Sequence, residues 1–182
     1  MKSVTEYIKS HKRSEEFKTL LFWHGPLSQW WYSTFVVDGV EYNCAEQYMM
    51  AMKARMFGDD EVLAKIMKAD GPHTSQAEFT QYPRAQKKLG REVRNFCPVA
   101  WHAVARDVVT RGNIAKFAQN DKLMVALILT QGYTLVEASP YDPLWGIGLS
   151  EESEIAFNPA MWRGKNWLGQ VLTELRDSTI II

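Results

Sequence analysis

TFVVDGVEYNCAEQYMMAMKA, residues 34–54, is the stretch that decides the fold class. Its first half carries β-branched and aromatic residues on both sides of Asp38-Gly39, a dipeptide typical of a tight β-hairpin turn. Its second half places Ala45, Tyr48 and Met49 at helical spacing. The stretch therefore predicts a hairpin followed directly by a helix over residues 43–57, which Gly58 ends.

The segments on either side are mainly helical. Helical spacing and end signals predict helices at residues 59–69, 83–96, 98–117, 120–132 and 166–176, and TLVEAS, residues 134–139, predicts a short strand. Residues 140–166 hold three prolines and three glycines and predict a long loop, whose aromatic residues argue against disorder. The fold class is α+β, predominantly helical, as a single compact domain with a small β-hairpin or short sheet. Residues 1–20 are charged and predict a helical N-terminal extension to a domain of residues 21–182.

The composition narrows the class of protein. Lys+Arg and Asp+Glu balance at 21 each in 182 residues, so no global basic field indicates nucleic acid, although a local basic groove stays open. Cys44 and Cys97 lack metal-ligand spacing, as do the four histidines, so neither a metal nor another cofactor is expected. The first residues lack an apolar signal core. We expect a soluble, cytoplasmic protein without a membrane partner and leave its oligomeric state open.

Glu46 has two interpretations. Asn43 and Glu46 are spaced as in a capping box, in which the acid bonds back to the amide that precedes the helix. The alternative is a carboxylate that takes part in chemistry. Lys53 lies on the same helical face, about 10 Å along the axis, so the two side chains could bracket a ligand.

SPYDPLWGIG, residues 139–148, contains a second candidate acid. Asp142 lies between two prolines, ahead of Trp145 and Gly146. Such a segment is either an ordinary turn or a rigid loop that presents a carboxylate beside an indole, with glycine letting the backbone approach a ligand. Glu137, in the preceding strand, is either an exposed strand residue or an inward acid.

Two further segments contain residues that could bind an anion. Lys165 and Asn166 follow a glycine and precede a helix, an arrangement that binds anions, although Asn166 could serve only as the N-cap. The run KKLGREVRN, residues 87–95, supplies Arg91 and other basic side chains, either as a solvated face or as a phosphate-binding flank.

These pieces, in this order, resemble the NADAR (YbiA-like) family of riboflavin-intermediate and ADP-ribose N-glycosidases. The resemblance covers residues 21–176 and is carried by YNCAEQYMMAMKARMFGD, KKLGREVRNFCPVAWHAVARDVV, AKFAQNDKLMVALILTQGYTLVEASPYDPLWGIGL and WRGKNWLGQVLTELR. One departure is visible: many members have Ser-Asn-Phe or Ser-Asn-Trp where this chain has Ser28-Gln29-Trp30.

The resemblance implies hydrolysis of the bond between C1′ of a phosphorylated ribose or ADP-ribose and a base or amine. The partner is then a small phosphoribosyl or ADP-ribosyl substrate, with ADP-ribosylated DNA as a second candidate. A non-catalytic ADP-ribose binding module is the alternative. The predicted catalytic residues are Glu46, Asp142 and Lys53, with the choice of carboxylate facing C1′ left open. The predicted substrate-binding residues are Trp23, Trp30, Gln47, Arg91, Glu137, Trp145, Gly146, Lys165 and Asn166.

Overall fold

The computed structural model describes residues 3–179. In chain order the elements are α1 Val4–Ser10, β1 Arg13–Ser14, β2 Thr19–Phe22, β3 Phe35–Val37, β4 Val40–Tyr42, α2 Ala45–Met56, α3 Asp60–Lys68, α4 Gln76–Phe79, α5 Gln81–Arg91, α6 Pro98–Ala118, α7 Asp121–Ile128, β5 Thr134–Glu137 and α8 Trp167–Thr179. Short 3₁₀ helices at Glu154–Phe157 and Pro159–Met161 lie between β5 and α8. The predicted class, α+β and predominantly helical, is confirmed.

The chain divides into two compact units. The sheet unit consists of Met1–Ser28 and Asp121–Ile182, and the helical unit is Gln29–Asn120. The predicted boundary between an extension, residues 1–20, and a domain, residues 21–182, stays a prediction. Residues 1 and 2 of the predicted extension and residues 180–182 of the predicted domain lie outside the described residues.

The sheet unit is built on a parallel strand pair. β2 pairs with β5 in parallel register, Leu20 opposite Leu135 and Phe22 opposite Glu137, and β1 adds an antiparallel edge. All four residues of β2 are buried, and α8 packs on β5. The helix predicted within residues 1–20 is confined to Val4–Ser10, because β1 and the start of β2 occupy the later part of that segment.

The helical unit begins with the predicted hairpin. β3 and β4 pair around Asp38 and Gly39, whose positive φ values of 52° and 77° are those of a type I′ turn. α2 follows three residues after β4 and packs against α3, α5 and α6. The prediction of a hairpin leading into a helix is therefore confirmed, with the helix starting at Ala45.

Other helix bounds differ from the predicted ones for local reasons. The helix predicted to reach residue 96 ends at Arg91, because Arg94 turns its backbone N–H to the Asp59 carboxylate at 2.8 Å and Asn95 has a φ of 56°. The helix predicted over residues 120–132 ends at Ile128, and α4 falls in a segment for which no helix was predicted.

The long loop between β5 and α8 is ordered by its own backbone. The backbone N–H of Lys165 donates to the Pro143 carbonyl at 2.9 Å, and that of Asn166 donates to the Gly146 carbonyl at 3.0 Å. These bonds bring the end of the loop back to its beginning, which agrees with the prediction of order. Among the residues that the structure describes, no helix is both long and apolar enough to cross a membrane.

Candidate functional site

Glu46 lies in the first turn of α2 and is 5% exposed. Its backbone N–H donates to the Gln29 carbonyl at 3.1 Å, and its Oε2 accepts a hydrogen bond from Trp30 Nε1 at 3.2 Å. The indole N–H thus holds the carboxylate. A buried carboxylate is costly unless polar groups satisfy it, and the Trp30 N–H is one group that does so.

The capping-box interpretation of Glu46 is wrong. α2 starts at Ala45, and Cys44, the residue before it, makes no side-chain capping bond. The Asn43 N–H donates instead to Gln47 Oε1 at 2.8 Å. The side chain that bonds back to Asn43 is therefore that of Gln47, the residue after Glu46.

The Gln47 side chain connects two helices of the helical unit by hydrogen bonds. It is buried, and besides accepting from Asn43 it donates through Nε2 to the Ile66 carbonyl on α3 at 3.2 Å. Its amide thereby joins the start of α2 to α3. The predicted substrate contact of Gln47 stays a prediction.

Lys53 lies two turns along α2, half-buried. Its Nζ donates to the Gly90 carbonyl at 2.6 Å, in the last turn of α5, and lies 3.9 Å from the centroid of the Phe96 ring. Burial lowers the pKa of Lys53, and the positive charge of Arg91 lowers it further, whereas the Glu46 carboxylate opposes both effects. The structure therefore brings Glu46 on α2 and Arg91 on α5 each within electrostatic range of Lys53.

Two more side chains of the helical unit extend this group. Lys87 Nζ lies 6.0 Å from the Trp30 ring centroid, one turn before Arg91 on α5, and Arg91 itself is exposed. We call the five residues Trp30, Glu46, Lys53, Lys87 and Arg91 the α2–α5 cluster. It combines one buried acid, one indole and three cationic side chains. Lys87 belongs to the basic run noted in the sequence but was not among the predicted site residues.

The sheet unit carries the second carboxylate. Asp142 Oδ1 accepts backbone N–H bonds from Leu144 at 3.1 Å and Trp145 at 2.9 Å, so the turn interpretation of this segment holds. Because one oxygen makes both bonds, the turn fixes the orientation of the carboxyl group. Asp142 is half-buried, in the loop that follows β5.

The Asn166 side chain forms hydrogen bonds that stabilise the sheet unit. Its side chain accepts from the Glu137 N–H at 2.9 Å and donates to the Leu135 carbonyl at 2.9 Å, while its own carbonyl accepts from Gln170 at the start of α8. It is fully buried, with a φ of 53°. Asn166 thus ties α8 to β5, and its predicted contact with phosphate stays a prediction.

The remaining predicted residues of the sheet unit surround the same loop. Trp145 packs edge-on against Trp167 at 5.6 Å, and Lys165, which is exposed, lies over Trp167 at 5.5 Å. A Cβ on Gly146 would lie 2.9 Å from the Glu137 carbonyl, so glycine is required there for the loop to approach β5. Glu137 ends β5 and is half-buried.

Trp23 follows β2 directly and stacks on His24, with ring centroids 4.7 Å apart. The Tyr141 ring also lies near Trp23, with ring centroids 6.2 Å apart. Tyr141 was not predicted as a site residue. Its position between Pro140 and Asp142 is the sequence signal that could have marked it.

The predicted residues thus fall into two groups. Glu46, Lys53, Trp30, Gln47 and Arg91 belong to the helical unit, and Trp23, Glu137, Asp142, Trp145, Gly146, Lys165 and Asn166 to the sheet unit. Each unit holds a carboxylate oriented by hydrogen bonds and a nearby indole. Carboxylates of this kind can stabilise developing positive charge or take a proton from water.

Comparison with known proteins identifies relatives over most of the chain. The model of the NADAR domain matches residues 18–179. An N-glycosidase of Acanthamoeba polyphaga mimivirus is 45% identical over 137 residues, which are 75% of this chain and 74% of the relative. The riboflavin biosynthesis protein PYRR of Zea mays, which is chloroplastic, is 28% identical over 124 residues, 64% of this chain and 18% of that protein.

A solved structure supports the same relationship. The NMR structure of the Escherichia coli protein YbiA superimposes with a TM-score of 0.68 at 25% identity, covering 93% of this chain and 89% of the other. The E. coli protein, named N-glycosidase YbiA, is 28% identical over 145 residues, 80% of this chain and 75% of its own length. The predicted enzyme class, N-glycosidase, is confirmed. The family model, the relatives and the shared fold together show that this chain belongs to the NADAR domain family.

Proposed function

We propose that the protein hydrolyses the N-glycosidic bond between C1′ of a phosphorylated ribose and a nitrogen of a base or amine. The first candidate substrate is a 5-phosphoribosylamino pyrimidine of riboflavin synthesis, and ADP-ribosyl guanine in DNA is the second. The observation that carries the proposal is the α2–α5 cluster: a buried acid that accepts from an indole N–H, Lys53 within electrostatic range of both that acid and Arg91, and Lys87 near the indole. The relatives named N-glycosidase, and the maize protein named for riboflavin biosynthesis, support it. A cytoplasmic location stays a prediction.

The bond to be broken explains the need for a carboxylate. As the C1′–N bond lengthens, positive charge develops on C1′ and the ring oxygen of the ribose. A fixed carboxylate stabilises that charge or removes a proton from the attacking water. The Glu46 carboxylate is suited to this role because burial strengthens its electrostatic effect and the Trp30 N–H restricts its orientation.

The cationic members of the cluster suit the phosphate. A guanidinium binds phosphate oxygens bidentately, and Arg91 is exposed on α5, one turn after Lys87. Lys53 has a different assignment, because its Nζ already donates to the Gly90 carbonyl. We assign to Lys53 the positioning of the last turn of α5, and hence of Arg91, in preference to covalent attack on C1′.

Asp142 is the second candidate for the acid near C1′. Its carboxyl group is oriented by two backbone N–H bonds, and it belongs to the loop after β5. If Asp142 activates the water, Asp142→Asn abolishes turnover while substrate binding persists. If Asp142 only shapes its loop, Asp142→Asn keeps the turn, because the amide oxygen accepts the same bonds, and turnover changes little.

The direct test is base release by the purified protein. Wild type would be given a 5-phosphoribosylamino pyrimidine and, in a separate assay, DNA that carries ADP-ribosyl guanine. We expect release from at least one substrate, and a loss of about 10²–10⁴ in kcat for Glu46→Gln. The matched control is Glu41→Gln, an exposed glutamate on β4 of the same unit, with an unchanged rate.

Two results would contradict the proposal. Folded wild-type protein that releases base from neither substrate would exclude the glycosidase function. Under that result, ADP-ribose binding measured by calorimetry would support the alternative of a binding module. Full activity of Glu46→Gln would exclude Glu46 as the acid and leave Asp142 as the candidate.

A further inference from the structure

The carboxyl ends of the two parallel strands place two aromatic rings side by side. β2 and β5 run in the same direction, so the residues that follow them emerge at the same edge of the sheet. Trp23 comes directly after β2, and Tyr141 comes four residues after β5. Their ring centroids are 6.2 Å apart, with an angle of 52° between the planes. The edge of a parallel sheet at the carboxyl ends is where α/β proteins commonly bind ligands.

Neighbouring groups restrain the Trp23 ring and the backbone that carries Tyr141. His24 stacks on the Trp23 ring at 4.7 Å, with only 26° between the planes. Tyr141 lies between Pro140, whose ring restricts the backbone, and Asp142, whose Oδ1 closes the following turn. The two aromatic side chains are therefore carried on restrained backbone, which lowers the entropic cost of binding a ligand against them.

Tyr141 is nevertheless 84% exposed, and Trp23 is only half-buried. Elsewhere in the sheet unit, Trp145 packs edge-on against Trp167. Tyr141 thus presents a ring to solvent beside a second ring, one residue before a candidate catalytic acid. An aromatic pair in this position suits a flat ring that stacks on one member and meets the edge of the other.

We propose that Trp23 and Tyr141 form an aromatic subsite for a planar nitrogen heterocycle of the substrate, and that Tyr141 is a specificity-determining residue. This inference rests on the proposed function, since both candidate substrates carry such a ring. The ring is either the base that leaves C1′ or the adenine of an ADP-ribosyl group. Both offer the same π-face, so the pair is expected to contribute ring affinity and no contact with phosphate.

The test is binding of three probes to the full chain by calorimetry: 5,6-diaminouracil, adenosine monophosphate and ribose 5-phosphate. Stacking of one base on an aromatic side chain corresponds to about 5- to 150-fold in affinity. We expect Tyr141→Ala to lower the affinity for a ring-bearing probe by that factor and to leave the affinity for ribose 5-phosphate unchanged. Tyr141→Phe keeps the ring and should bind within about twofold of wild type. The control Met161→Ala removes another exposed apolar side chain of the same unit and should change nothing.

The probe that loses affinity identifies the ring that the subsite binds. A loss for diaminouracil alone assigns the pair to the leaving base, and a loss for adenosine monophosphate alone assigns it to adenine. The inference is overturned if wild type binds neither ring-bearing probe, or if Tyr141→Ala binds both as tightly as wild type does. It is also overturned if Tyr141→Ala loses as much affinity for ribose 5-phosphate as for the ring-bearing probes. Base release by wild type is measured in parallel. Turnover without any dependence on Tyr141 refutes the subsite alone, and ring binding that depends on Tyr141 without turnover refutes the proposed reaction alone.

Discussion

Lys116 offers a quantitative test of the helical unit. It lies near the end of α6, its side chain is fully buried, and burial lowers its pKa to about 7, with Cys44 acting in the opposite direction. In the unfolded chain a lysine has its ordinary pKa of 10.5. At neutral pH and below, the folded protein therefore has to hold an ammonium group that water would solvate better. Lys116→Met removes the amine and keeps the length of the side chain.

The magnitude follows from the two pKa values. Their difference corresponds to about 5 kcal/mol, at 1.36 kcal/mol per pH unit, and this cost is present in full below pH 7. Between pH 7 and 10.5 the unfolded chain binds one more proton than the folded protein, so wild-type stability rises with pH. Lys116→Met lacks this dependence. Its stability advantage over wild type should shrink by about 1.4 kcal/mol for each pH unit across that window.

Urea unfolding, followed by tryptophan fluorescence at pH 7, 8 and 9, measures the difference between the two proteins. The control is Lys68→Met, which removes an exposed lysine of α3 in the same unit. A stability difference between Lys116→Met and wild type that stays constant from pH 7 to 9 would refute the assignment of a depressed pKa to Lys116.

Three further predictions concern single contacts of the helical unit. Trp30→Phe removes the N–H that holds the Glu46 carboxylate and should lower kcat/KM by about 5- to 30-fold in the base-release assay, while the melting temperature changes little. Asp59 accepts three hydrogen bonds from Arg94, which hold its pKa well below the usual range. The ionised Asp59 carboxylate therefore stabilises the folded protein above about pH 4, and this stabilisation is lost as the pH falls. Asp59→Asn should be less stable than wild type at pH 7 and differ less from it at pH 2, as measured by unfolding followed by circular dichroism. Gly112→Ala would put a Cβ 2.5 Å from a tyrosine ring of α2 and should cost about 1–3 kcal/mol in urea unfolding.

The elements that the sequence predicts well are those set by local chemistry. Asp38-Gly39 predicts the hairpin because both residues adopt positive φ readily, and the structure has both there. α2 and α3 follow from helical spacing. β2 was not predicted, because its residues, TLLF, are buried without alternation and pair with a strand more than a hundred positions later. Non-local pairing of this kind leaves no periodic signal in a single sequence.

The position of Glu46 shows a finer limit of sequence reasoning. Asn43 is followed by both a glutamate and a glutamine that can reach back to its N–H, and the pattern alone does not separate them. The structure assigns the bond to Gln47, because the helix starts at Ala45 and Glu46 has turned toward Trp30. The hydrogen bond back to Asn43 therefore comes from Gln47 and not from Glu46, and the role of Glu46 as the acid stays a prediction.

The chemistry of the side chains explains which predicted site residues fasten the fold. Gln47 and Asn166 each bridge a backbone N–H and a backbone carbonyl, which an amide can do because it carries a donor and an acceptor. A carboxylate only accepts, so Glu46 and Asp142 can each hold N–H groups but cannot make such a bridge. The same rule separates the effects of substitution. Gln47→Ala leaves a buried N–H and a buried carbonyl without their partner and should act mainly on stability, whereas Glu46→Gln preserves shape, removes charge and should act mainly on turnover.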